Sequence, residues 1–144
     1  MTIVAARRYA AGSLQGDVAA DGAPREPLPQ ATFDWVGLAE PTPQEMELVS
    51  GQFGLHPLAV EDALNPQQSP KVEIYGGQLF IVARTAAIGE GGRIEYGQTA
   101  LFLGPDFVIS VRFGSARAHV ALRTRLEGDP QRLAEGPDFV AHAI

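Results

Sequence analysis

The adjacent carboxylates Glu61 and Asp62 are the residues in this sequence best placed to do chemistry. Pro57 can open a short helix running to about Asn65, where Pro66 stops it. At 100° per residue, Ala59, Val60, Ala63 and Leu64 share one arc, Glu61 and Asp62 lie opposite, and Leu58 falls between the two acids. An apolar residue flanked by carboxylates on an outward face suits a surface that meets something. A solvated face with one stray leucine has the same spacing, so spacing alone leaves both readings open. Other chemistries find little support. His56, His119 and His142 are far apart, none has a partner four residues on, and each is read as structural. For His56 this means a local hydrogen bond at the helix start before Pro57. There is no nucleophile elbow, P-loop or dinucleotide fingerprint. The glycines from Gly89 to Gly92 precede no helix and read as a hairpin turn rather than a phosphate loop. Asp106 and Asp129 adjoin prolines in turns, where acids are common. With no cysteine, thiolate nucleophiles, disulfides and Cys-based zinc sites are excluded. The chain is therefore expected not to be an enzyme.

Composition sets the outer bounds. One domain with one core is expected from 144 residues, of which 45% are hydrophobic and 19% charged. No apolar run approaches the roughly 20 residues of a membrane span, and the N-terminus lacks the pattern of a secretory signal, so the chain as given is expected to be soluble and cytosolic. A formal charge of −6 argues against nucleic-acid binding, which needs clustered Lys and Arg. Arg112, Arg117, Arg123 and Arg125 are the nearest approach to a basic cluster and read as a solvated helix face.

The elements that would position the acid pair follow from local signals. Residues 2–10 read as a strand turning at Gly12 into a second short strand near Val18. Pro24, Pro27 and Pro29 then make residues 21–30 a loop or linker, with a boundary near Ala31. Residues 33–38 read as a strand with Phe33 and Trp35 on one face. Thr42, Pro43 and Glu45 form a capping box that starts a helix, Met46, Val49 and Phe53 line one side of it, and Gly54 can end it. Residues 71–75, 79–87, 94–103 and 107–113 are strand-like and separated by regular turn signals, which predicts an antiparallel meander. Ser115 can cap a helix reaching Leu126, and Gly136-Pro137 opens a last segment over residues 138–144. A helix that short is marginal alone, so the natural chain is expected to continue.

Taken in order, Trp35-Val36-Gly37-Leu38, the stretch Leu55-His56-Pro57-Leu58-Ala59-Val60-Glu61-Asp62-Ala63-Leu64, then Pro70-Lys71-Val72-Glu73, Leu79-Phe80-Ile81-Val82, the run from Leu103 to Val111, and Gly136-Pro137-Asp138-Phe139 resemble the cytosolic domain of CorA-type magnesium channels. The resemblance covers residues 33–144. It implies an α/β (α+β) fold in which a mixed, largely antiparallel sheet is flanked by helices, as a single domain, with residues 31–144 as the family-like domain stopping before stalk and transmembrane helices; residues 1–30 carry little of the resemblance and are read from their own pattern as N-terminal strands and a partly flexible Pro-rich linker. It also implies a homo-oligomer, a pentamer when complete and a monomer or weak dimer as this piece, on the cytoplasmic side of the membrane. The family's Gly-Met-Asn pore signature is absent, and this piece is not expected to conduct.

The resemblance further implies a regulatory Mg²⁺ between protomers, held by Asp62 with Glu61 as the second candidate, facing a carboxylate on the neighbouring stalk. The chemistry agrees, since Mg²⁺ keeps most of its waters and takes one or two carboxylates. Binding by the piece alone is expected to be weak or absent. Two rivals remain: a relative that moves zinc or another divalent ion, and a free-standing small-ligand module that holds an anion at the Gly114-Ser115 helix start.

Overall fold

The computed structural model describes residues 3–114 and 118–144. Along the chain come β1 (Ile3–Ala10), β2 (Ser13–Asp17), β3 (Thr32–Ala39), α1 (Pro43–Phe53), α2 (Pro57–Ala63), β4 (Lys71–Tyr75), β5 (Gln78–Ile88), β6 (Ile94–Gly104), β7 (Phe107–Gly114), α3 (Val120–Glu127), α4 (Pro130–Leu133) and α5 (Pro137–Ala143). The strands form one sheet in the order β2-β1-β3-β7-β6-β5-β4. Every pairing is antiparallel except β3 with β7, whose parallel register sets Asp34 beside Phe107 and Gly37 beside Ser110. The sheet is thus mixed and largely antiparallel. Strands β4 to β7 are the expected meander, and a single 3-10 turn over Glu90–Gly92 makes the β5–β6 hairpin connection.

Alternation along the central strands explains the layers. In β3, Phe33 and Trp35 face one way and Val36 and Leu38 the other, and all four are buried. Val36 and Leu38 join Phe80, Val82, Phe102, Ile109 and Val111 beneath α1 and α2. Phe33 and Trp35 join Tyr9 and Val108 beneath Leu126, Leu133 and Val140 of α3, α4 and α5. Helices therefore cover both faces. Trp35, with no exposed surface, removes roughly 200 Å² from water, which at ~25 cal/mol/Å² is about 5 kcal/mol.

Local signals fix the helix that precedes the acid pair. The Thr42 hydroxyl accepts from the Glu45 backbone N–H at 3.2 Å, Pro43 occupies the first turn, and Gly54 closes α1 at φ 64°. The Pro-rich segment is a coil, and Arg25 fastens it to the sheet. Its guanidinium donates to Asp34 Oδ2 at 3.2 Å and to Asp106 Oδ1 at 3.0 Å, and stacks 4.7 Å from the Phe53 ring. Arg8 holds the other side of Asp34, with Nε 2.7 Å from Oδ1. Asp106 is thus more than a turn residue, because it also accepts from the Leu28 N–H.

Two expectations about the last third need correction. Arg123 is not on a solvated face: it is 5% exposed and lies over the Trp35 ring, because α3 packs on the sheet through Arg123 and Leu126. Arg112 belongs to β7, while Arg125 is exposed as expected. The helix expected from Ser115 is observed from Val120; Ser115 and Arg117 lie outside the described residues. Helix α4 was not foreseen, although Asp129-Pro130 repeats the cap-plus-proline signal of Thr42-Pro43.

A candidate cation site on the second helix

Helix α2 is started by His56 rather than by a hydroxyl or carboxylate. Its Nδ1 accepts from the Leu58 backbone N–H at 3.2 Å, and Pro57 fills the first turn, where its missing N–H costs nothing. The ring also stacks on Tyr75, 4.3 Å between centroids. Both contacts fix where the helix begins, and so which residues face outward. Ala59 and Ala63 are buried, and Val60 and Leu64 pack against the core. Leu58 is 56% exposed, and Glu61 is exposed beside it.

Asp62 is placed differently from Glu61. Its side chain is 25% exposed and turns toward the edge of the sheet, where the Lys71 ammonium donates to Oδ2. Lys71 also lies 2.8 Å from Glu73 Oε1, and the Tyr75 hydroxyl donates to Glu73 Oε2. Asp62, Lys71, Glu73, Tyr75 and His56 therefore form a continuous chain from the end of α2 back to its start. The register explains the grouping. Lys71, Glu73 and Tyr75 pair with Val82, Phe80 and Gln78, which places them on the helix-covered side of β4, whereas Val72 and Ile74 point to the other side and are 65% and 76% exposed.

The electrostatics follow from these contacts. The hydrogen bond to Asp62, then that to Glu73, pushes the Lys71 ammonium above its ordinary value and keeps it charged. Hydrogen bonds from Lys71 and then Tyr75 hold the Glu73 carboxyl below the usual carboxylate range. The Tyr75 hydroxyl is raised by its bond to Glu73. Within this chain of contacts Lys71 is one cation between two acids, Asp62 and Glu73.

Among the described residues no three His, Asp or Glu side chains gather as a metal-holding group. What α2 offers is one quarter-exposed carboxylate, Asp62, with Glu61 one residue away. That donor set suits a hydrated, oxygen-seeking ion that needs one or two protein carboxylates, and it cannot form a closed cage. Sequence reasoning singled out Asp62 and Glu61 as candidates but not Lys71 and Glu73, which the structure sets beside Asp62. The signal was present in the β4 pattern, where charged residues alternate inward and apolar ones outward, the reverse of an ordinary half-buried strand.

Known proteins place this geometry in context. The metal ion transporter YfjQ of Bacillus subtilis is 28% identical over 116 residues, covering 81% of this chain and 35% of that protein. The cobalt/magnesium transport protein CorA of Thermotoga maritima is 38% identical over 58 residues, 40% of this chain and 16% of its own length. Among solved structures, full-length CmaX superposes with a TM-score of 0.70 at 17% identity, over 99% of this chain and 45% of that one. The soluble domain of CorA from Methanocaldococcus jannaschii gives 0.62 at 15% identity, over 98% and 54%. At these identities the superpositions show a shared fold. The chain spans about a third of the length of the Bacillus relative. Residues 30–143 match the family described as CorA-like Mg2+ transporter protein, and this chain belongs to that family.

Proposed function

We propose that this chain is the cation-sensing part of a CorA-type magnesium transporter, with Asp62 as the ligand and Glu61 assisting, and that it works on the cytoplasmic side of a membrane as one protomer of a ring. The observation that carries this reading is the placement of Asp62. It is a quarter exposed, at the end of a two-turn helix one turn on from the 56% exposed Leu58, and is paired within the chain to Lys71. An apolar residue next to a partly exposed carboxylate is a surface on which a neighbouring protomer can close around a hydrated ion. Family membership and the transporter names of its relatives support the same reading.

The mechanism needs only charge. Carboxylates brought face to face across an interface would repel, and a hydrated Mg²⁺ held by Asp62 would offset that repulsion, so occupancy would favour the closed ring. A site filled to tenfold its Kd contributes about 1.4 kcal/mol, and equivalent sites around a ring add. Half of such a site lies outside one chain, so the single domain binds Mg²⁺ at millimolar concentrations or more weakly. Which divalent ion crosses the membrane is set elsewhere in the whole protein, and uptake of Mg²⁺ against Zn²⁺ by that protein distinguishes the two.

The test is flux through the whole protein in liposomes at graded Mg²⁺ on the domain side. Asp62→Ala and Asp62→Lys are expected to abolish or blunt closure by Mg²⁺. Unaltered Mg²⁺ sensitivity in both variants would refute the role given to Asp62.

A further inference from the structure

We infer that Lys71 is a resident counter-ion that competes with the cation for Asp62, so that ion binding unfastens the edge strand β4 from α2. The inference rests on the proposed role of Asp62 and adds the regulation of that site. Lys71 donates to Asp62 and lies 2.8 Å from Glu73, so its ammonium already occupies the position from which a cation would neutralise the acid. A hydrated divalent ion on Asp62 would sit within a few ångströms of that ammonium. Two like charges at that distance repel, and one displaces the other.

What displacement does follows from how β4 is held. β4 ends the sheet and, among the described residues, pairs only with β5. Its outward residues Val72 and Ile74 are largely exposed and bury little. Its ties to the helix layer include the Lys71–Asp62 ion pair, the stacking of Tyr75 on His56 and the packing of Tyr75 against the core, and the first two are joined through Glu73. Taking Lys71 off Asp62 removes the charged half of that fastening and leaves Lys71 to Glu73 alone. Ion occupancy at α2 is thereby linked to the mobility of an edge strand, and by linkage a change that frees Lys71 from Asp62 tightens ion binding.

The experiment uses the whole protein in liposomes, with MgCl2 as the probe at constant ionic strength. Its readouts are the Mg²⁺ concentration that half-closes flux and hydrogen exchange of the 71–75 amides. Lys71→Met keeps the aliphatic stem and removes the charge, and is expected to half-close at a Mg²⁺ concentration lower by about two- to fivefold, the size of one exposed ion pair converted to a ratio. Lys71→Arg keeps the charge in a fork that grips carboxylates more firmly, and is expected to shift half-closure to higher Mg²⁺. In the unsubstituted protein Mg²⁺ should speed exchange in β4, and in Lys71→Met exchange should be fast with or without it. If Asp62→Asn loses Mg²⁺ sensitivity while neither Lys71 variant shifts it, the competition is wrong and the role of Asp62 stands. If Asp62→Asn closes as before, the sensor reading fails and the competition falls with it.

Discussion

The guanidinium of Arg123 lies 4.6 Å from the centroid of the Trp35 ring, on the sheet face opposite α2. Burial lowers the pKa of this side chain. No carboxylate among the described residues pairs with it, and its Nε, Trp35 Nε1 and Ser110 Oγ are buried without hydrogen-bond partners. The contact with the ring and the packing of the aliphatic stem are what it contributes.

A volume-matched apolar residue should therefore serve as well. Arg123→Met is expected to leave stability unchanged or to raise it by about 1 kcal/mol, as when buried charges are exchanged for packed apolar side chains. Trp35→Ala should cost about 3–5 kcal/mol. Urea unfolding of both variants checks this, and a loss in Arg123→Met comparable to that in Trp35→Ala would contradict it.

Asp34 is fully buried between Arg8 and Arg25. Asp34→Ala leaves both guanidinium groups without their shared acceptor and is expected to cost about 3 kcal/mol, the low end for a buried pair because the Arg8 side chain is 37% exposed. Arg25→Ala should release the Pro-rich coil instead. Limited proteolysis should then cut within residues 18–31 much faster than in the unsubstituted protein.

Glu127 accepts from Arg7 at 2.6 Å and from the Tyr9 hydroxyl at 2.8 Å. Burial alone would raise its pKa, but these hydrogen bonds and the Arg7 charge outweigh it, and the folded-state value lies below the ordinary 4.5. The unfolded chain thus takes up this proton first as pH falls. The stability Glu127 contributes is fully present above the unfolded value and is lost as pH drops through the folded one. Glu127→Gln should remove that part of the acid dependence. Melting temperatures of the two proteins should differ at pH 7 and converge toward pH 3.

Gly54 ends α1 at φ 64°, and no atom lies within 4 Å of where a Cβ would stand. Gly54→Ala therefore tests backbone conformation alone. A loss of about 1 kcal/mol is expected, with the fold otherwise retained by circular dichroism.

Signals confined to a few neighbours were legible in the sequence. The capping box at Thr42, the stop at Gly54, the bond from His56 at the start of α2 and the burial of Ala59 and Ala63 each depend on residues within one or two turns. The seam between β3 and β7 was not legible, because nothing local records which distant strand Val36 will pair with. Arg123 was misread for the same reason: its spacing suits a solvated face until Trp35 is set beneath it. Asp62 could be singled out from its helix but its ion-pair partner could not, since Lys71 is nine residues on and reaches it only once β4 is placed at the sheet edge.

That seam bears on how the molecule assembles. Asp34 and Phe107 are neighbours in space though roughly 70 residues apart in sequence, whereas β4 to β7 can zip together through short connections. Closing the long loop costs entropy before any contact repays it. The hairpins should therefore form early and the docking of β3 late, so slow refolding should be most sensitive to substitutions at Val36 and Ile109, where the two halves of the molecule first recognise each other.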